Sequence, residues 1–333
     1  MTVLSQTMPR RWQLFIAVLK ALALVLLIAY LIRQFVQDTA LLAPLATGSG
    51  LAHLGLAALW CAASLMCVGF RHLVLVRSMY GTISAFEVFR VFAAGVFANN
   101  VLPAATGFDV LRLYAYSKRS GLPIATIVKV ILADRISTVA GLASFAVLAQ
   151  FLALLTGLPH PLRNLSPNSG ILVSSLCLVF LLSVAVAFIG PKYSTQCIGF
   201  LASRFRSLDG NSAPAAAHST CSLALALLLS MGTHFFAALG IATLALGLFG
   251  IYQARLAFTL SPLVFFSALV PITPAGIGWT EAIADLTWTL YSATGGLILF
   301  SIWRIVSLAI SLLGATAYFQ MRATHVKPEE GTP

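Results

Sequence analysis

The stretch ANNVLPAATGFDVLRLY, residues 98–114, decides the fold. It closes an apolar run with two amides, Asn99 and Asn100, and breaks it at Pro103 and Gly107. An acid and an arginine, Asp109 and Arg112, follow directly. Proline removes a backbone donor and clashes with the preceding turn, so a helix arriving here stops. Irregular backbone at membrane depth is tolerated only where protein buries it or a wet cavity receives it. Two amides at the end of an apolar run are costly unless something bonds them. The segment therefore reads as a broken or re-entrant helix whose tip is a candidate site.

A second stretch repeats the design. In SALVPITPAGIGWTEAIAD, residues 267–285, Pro271, Pro274, Gly276 and Gly278 crowd one place ahead of Glu281. No ordinary spanning helix tolerates that. Asp109 and Arg112 stand at i and i+3 and share a helix face, where they can pair. Glu281 and Asp285 stand at i and i+4, and like charges there repel unless one is protonated or a cation lies between them. Each acid is followed at a similar distance by an arginine, Arg135 in the first case and Arg304 in the second. Backbone N–H groups at the start of the second half-helix favour phosphate or carboxylate.

Working outward, 59% of the 333 residues are hydrophobic and 9% are charged, against roughly 45–50% and roughly 25% in soluble domains. This is the composition of a membrane protein, and the apolar runs leave no stretch for a second, soluble catalytic domain. A spanning helix needs about 20 mostly apolar residues. The runs 14–32, 51–70, 136–157, 171–190, 221–248 and 296–319 qualify, whereas 84–102 and 256–270 are shorter or charged and lead into the two breaks. The expected fold is an all-α polytopic membrane protein with six full spans and two re-entrant segments. The first run is long enough to span and no small-residue cleavage site follows it closely, so no cleavable signal is expected. From 123 to 157 the pattern is helical without interruption. Ile124, Ile127, Val128, Ile131 and Leu132 recur at helical spacing, with Lys129, Asp134 and Arg135 off that stripe, as expected of an interfacial helix feeding a span.

Charge supports this layout. The net charge is +11, and with the N-terminus inside, behind Arg10 and Arg11, 11 of the 20 lysines and arginines fall on the cytoplasmic side, Arg71 among them, and 3 fall outside. That bias satisfies the positive-inside rule. Two spans, a re-entrant segment and a third span then occur twice. Three crossings per half is odd, so the second half is inverted, with residues 1–165 and 166–333 as the two repeats and the turn-rich loop 157–170 between them. Each re-entrant segment covers about half of a hydrocarbon core about 30 Å thick, so the two tips should meet near the midplane. Inverted repeats with paired Gly and Pro breaks are how many transporters build a midplane site.

Other chemistries find little support. The five cysteines, Cys61, Cys67, Cys177, Cys197 and Cys221, never take metal-ligand or redox spacing and read as small apolar residues. The histidines are scattered, and His234 alone is read as lying deep in an apolar run, where a bond to a neighbouring helix is its simplest role. No basic face interleaved with aromatics points to nucleic acid. No paired-aspartate motif, His-rich cluster or phosphate loop points to a metal, a cofactor or a catalytic centre. Asp134 and Arg135 are adjacent, point about 100° apart on a helix and need other partners. Arg304 lies inside the last span, where an isolated charge usually faces a partner or a cavity.

The motifs NNVLPAATGFDVLR (99–112), ADR (133–135), PITPAGIGWTE (271–281) and WR (303–304) resemble the flippase-like family that includes the membrane domain of lysylphosphatidylglycerol synthases of the multiple peptide resistance type. The similarity runs over nearly the whole chain, although Phe108 stands where that family commonly has glycine. By resemblance the motif positions are Asn100, Pro103, Gly107, Asp109, Arg112, Asp134, Arg135, Pro274, Gly276, Gly278, Glu281 and Arg304. They are expected to form a lipid headgroup or coupling site. Because the chain ends soon after Phe319, the soluble aminoacyl transferase domain of the large synthases is not expected, nor is synthesis of lysyl-lipid.

The function expected is therefore movement of a phospholipid, aminoacyl-lipid or polyprenyl or hopanoid-type lipid between leaflets, without catalysis. The partners would be membrane lipids with an anionic or zwitterionic headgroup, and a separate lipid-modifying enzyme as a further candidate. The expected location is a bacterial inner membrane with both termini cytoplasmic. Two alternatives remain open on sequence: a non-transporting partner of a lipid-modifying synthase, and a membrane enzyme acting on a lipid-linked phosphate.

Overall fold

The computed structural model describes residues 29, 33, 39–79, 83–101, 107–120, 124–155, 220–269 and 276–323. The expected spans at 14–32 and 171–190, the loop 157–170 and the tips carrying Pro103 and Pro274 lie outside the described residues. Every regular element among the described residues is helical. After a 3-10 turn at Thr39–Ala46 come α1 (Gly48–Met79), α2 (Ala85–Val101), α3 (Gly107–Ser120), α4 (Ile124–Leu155), α5 (Thr220–Phe249), α6 (Ile251–Ser267), α7 (Trp279–Leu290), α8 (Gly296–Ser311) and α9 (Ala315–Ala323).

Among the described residues, four stretches are long and apolar enough to cross a membrane: Gly48–Met79, Thr126–Leu155, Thr220–Phe249 and Gly296–Met321. They realise the runs at 51–70, 136–157, 221–248 and 296–319. The first is longer than its run, because Arg71 does not end it. Arg71 was counted among the cytoplasmic loop charges, but it sits inside α1 and is only 3% exposed. A helix carries an arginine this deep when the charge is compensated within the bundle.

The two interrupted segments are pairs of short helices. α2 and α3 have 17 and 14 residues, and α6 and α7 have 17 and 12. At 1.5 Å per residue each measures roughly 18–26 Å, less than a hydrocarbon core about 30 Å thick. α2 packs on α3, and α6 on α7. Counting the apolar stretch Gly296–Met321, which takes in α8 and most of α9, as one span, the order is long, short, short, long, and then the same again.

α1 and α5 form the central seam and run antiparallel. His53 lies against Gly247, Trp60 stacks on Phe236 at 5.7 Å, the Ser64 hydroxyl donates to the Thr233 carbonyl at 2.9 Å, and Arg71 donates to Ser230 at 3.2 Å. As one chain number rises the other falls. The other contacts among α1–α8 come in matched pairs. α1 packs on α2 and α4 as α5 packs on α6 and α8; α4 packs on α5 and α6 as α8 packs on α1 and α2; α3 packs on α4 as α7 packs on α8. Two apolar clusters follow the same division. One joins α6, α7 and α8 to Ala57 and Cys61 of α1 and to Ile241 and Leu244 of α5. The other joins α2, α3 and α4 to Leu75 and Val76 of α1 and to Ala226 of α5.

α4 corrects one expectation. Its first turns are not a simple interfacial stripe, because Ile124 is exposed while Ile127, Val130 and Ala133 are buried. Asp134 is buried with them at 4% exposure. The side chain placed off the stripe points into the bundle because it has partners there.

Candidate functional site

Asp134 is the centre of the first charged cluster. One carboxylate oxygen accepts from Arg71 Nε of α1 at 2.8 Å and the other from Arg112 Nη1 of α3 at 2.8 Å. Arg71 also donates through Nη1 to Ser230 of α5. Gly141 of α4 makes the close approach of α5 there possible, since a Cβ on it would stand 2.3 Å from the Ser230 hydroxyl oxygen. One buried carboxylate therefore ties α1, α3 and α4 together, with α5 attached through Arg71. An ion network of this kind is weak evidence for net stability, but removing one member leaves uncompensated charge.

Arg112 is fully buried, and its guanidinium lies 3.5 Å from the centre of the Phe108 ring. Phe108 fits because of Gly95 on α2, where an added Cβ would come within 2.1 Å of that ring. The aromatic at a position where the resembling family commonly has glycine thus has a glycine opposite it and serves as a cation–π platform. Beside it, His72 of α1 shares a 2.9 Å hydrogen bond with Tyr116 of α3. Burial pushes the Tyr116 hydroxyl above the ordinary tyrosine range, so it stays protonated.

Asp109, the third residue of α3, lies at the edge of this cluster. It pairs with Arg135 of α4 at 2.6 Å, while Arg112 is a more distant 3.8 Å away. The i, i+3 pair read from sequence is therefore secondary: Arg112 bonds Asp134, and Asp109 bonds Arg135. Both halves of the Asp134–Arg135 dipeptide find partners elsewhere, as their divergent directions required. The cluster holds three arginines and two carboxylates, one positive charge in excess. Within it, Arg112 Nε and Nη2, Asp109 Oδ1 and His72 Nδ1 are buried without hydrogen-bond partners.

The second cluster is built at the other break. Gly276 and Gly278 take φ values of 69° and 82°, a left-handed conformation that side chains rarely adopt. They turn the chain into α7, whose third residue is Glu281. Its carboxylate accepts from the Gly278 N–H at 2.8 Å and pairs with Arg304 of α8. An acid in the first turn bonded back to the N-cap satisfies an orphan donor and suits the helix dipole. Arg304 donates further to the Gly276 carbonyl at 3.2 Å.

Ten of the twelve motif positions are thus located. Asp109, Arg112, Asp134 and Arg135 form one network, and Gly276, Gly278, Glu281 and Arg304 form another. Gly107 opens α3, and Asn100 is partly buried at the end of α2. Sequence reasoning missed Arg71, His72 and Ser230. The signal is the Arg71–His72 pair set between CVGF and LVLV, which continues the apolar run past the charge and makes Arg71 an interior residue of the span. His72 also corrects the reading that His234 alone lies deep in an apolar run, since it is fully buried. His234 lies with its ring 6.0 Å from that of Phe265 on α6, and its Nε2 is buried without a hydrogen-bond partner.

A comparison with curated proteins gives no match. Residues 12–314 match the model of the lysylphosphatidylglycerol synthase transmembrane region, which is most of the chain and spans both charged clusters. With four apolar crossing helices and this match, the chain is a multi-pass membrane protein with a lipid-related role, and it belongs to the family of lysylphosphatidylglycerol synthase transmembrane regions.

Proposed function

We propose that the protein moves a lipid between leaflets without making or breaking bonds, using two inverted repeats, 1–165 and 166–333, that present their charged clusters to a headgroup. The observation that carries this reading is the matched acid–arginine pair after each break. In both halves the third residue of the short helix is an acid, and its partner is an arginine of the following span. The antiparallel α1–α5 seam supports inversion, because equivalent helices of an inverted repeat run in opposite directions. Exchanging α1–α4 with α5–α8 reproduces the packing pairs, which supports the repeat itself.

Charges at this depth are costly and usually mark a pathway or ligand site. Arginines suit a phosphate because their planar donor fork matches its oxygens. The headgroup would be anionic or zwitterionic, the setting a bacterial inner membrane with both termini cytoplasmic, and a separate lipid-modifying enzyme a natural supplier of the lipid. The test is a leaflet-resolved assay of fluorescent phospholipid in proteoliposomes. Wild-type protein should speed equilibration between leaflets, and R135Q, which removes a half-exposed partner, should slow it while its melting in detergent stays near wild type. Movement no faster than in protein-free vesicles would sink the proposal.

A further inference from the structure

The two acid–arginine pairs match in position but differ in what holds the acid. Glu281 is pinned, with one oxygen on the Gly278 N–H and the other on Arg304. Asp109 is not. Its Oδ2 holds Arg135, whose side chain is 53% exposed, while its Oδ1 is buried without a hydrogen bond, 3.8 Å from Arg112 Nη1. Arg112 in turn spends only Nη1 on Asp134 and leaves Nε and Nη2 buried and unpartnered. Idle donors on a fully buried arginine, next to an idle carboxylate oxygen one helical turn away, make a second place for the same carboxylate.

We propose that Asp109 is a displaceable counter-ion: a lipid phosphodiester takes Arg135, and Asp109 transfers to the idle edge of Arg112. The inference rests on the headgroup reading of this cluster and adds which arginine receives the ligand and what the protein does with the charge released. Asp109 and Arg112 sit on one face of α3, so the transfer needs a side-chain rotation and no helix movement. Arg112 keeps its bond to Asp134 throughout. The cluster carries one excess positive charge, and a phosphodiester brings one negative charge, so the occupied network is neutral where the empty one is not. A headgroup without a phosphate or other anionic group cannot displace Asp109, because it offers Arg135 no charge in exchange.

The experiment uses full-length protein in maltoside micelles, which contain no phosphate, titrated by calorimetry with dihexanoyl phosphatidylglycerol and separately with inorganic phosphate. In D109N the competing carboxylate is gone, and the lipid should bind about fivefold tighter, the scale of a partly exposed ion pair given up. R135Q should abolish binding. R112K keeps Asp134 compensated but removes the idle guanidinium edge, so it should weaken lipid binding when Asp109 is present and have no effect in the D109N background. Weaker binding by D109N, or an R112K effect of equal size in both backgrounds, would overturn the transfer while leaving the headgroup site standing. No lipid binding by wild type or any variant would instead overturn the headgroup reading beneath it. Inorganic phosphate binding as tightly as the lipid, with the same response to the variants, would assign the site to a free anion and overturn the lipid assignment.

Discussion

Replacing Asp134 by asparagine tests whether one carboxylate holds the first half together. The substitution keeps the shape and an acceptor oxygen but removes the carboxylate bonded to two buried arginines, whose side chains are 4% and 0% exposed. At an effective dielectric near 20, each attraction across about 4 Å is worth about 4 kcal/mol before desolvation is counted. Measured losses on breaking buried pairs are about 3–5 kcal/mol. D134N should fall in that range. R71Q should cost less, about 1.5–3 kcal/mol for a charge-assisted bond, because it leaves Asp134 and Arg112 as a balanced pair. The double variant D134N/R71Q buries one uncompensated arginine where D134N buries two, so it should be no less stable than D134N alone. Unfolding by sodium dodecyl sulfate in mixed micelles, followed by circular dichroism, ranks the three. If R71Q is as damaging as D134N, or if the two losses simply add, the cluster is not organised around Asp134.

Gly95 makes room for Phe108, so G95A should cost about 1–3 kcal/mol through overpacking, and F108A in the same chain should recover part of that loss in the same unfolding titration. Recovery should be absent when F108A is combined with a substitution remote from α2. Topology is open to thiol labelling in a cysteine-free background: with the N-terminus inside, a cysteine at Ser166 should react with an impermeant reagent in intact cells and one at Ser212 should not. Equal labelling would remove the assigned orientation.

Much of the scaffold was legible because its signals are local. Apolar runs of about 20 residues mark spans whatever their neighbours do, and Pro and Gly clusters stop helices by sterics alone. The glycine turn at 276–278, the short helices at Gly107–Ser120 and Trp279–Leu290 and four of the six runs were readable on those terms. The partners of the charges were less legible, because pairing is a tertiary property. Spacing favoured Asp109 with Arg112, yet Asp134 claims Arg112 across 22 residues of sequence, and nothing local announces that competition. Arg71 misled for a related reason. A charge after an apolar run is the ordinary sign of a helix end at the interface, and only a carboxylate on another helix makes it an interior residue. Phe108 shows the same limit from the apolar side, since the glycine that accommodates it lies on a different helix.

The two halves share a scaffold and divide its charges unequally, and the inequality has a mechanical consequence. In the first half a single carboxylate receives bonds from α1 and α3 while standing on α4, so the three helices cannot separate without exposing two buried guanidiniums. In the second half the acid is bonded within its own helix start and to one arginine of α8, so α7 carries its cap with it if it moves. Cap and ion pair sit at the break itself, where glycines at 276 and 278 already hold a conformation open to few other residues. The first half is thus tied together around Asp134, with the Asp109–Arg135 pair at its rim. The second is built to keep one pair fixed beside a turn that glycine frees from steric constraint. A scaffold symmetric in packing but unequal in this way holds its two breaks differently, and in the proposed lipid movement that inequality would separate the step that receives a headgroup from the step that releases it.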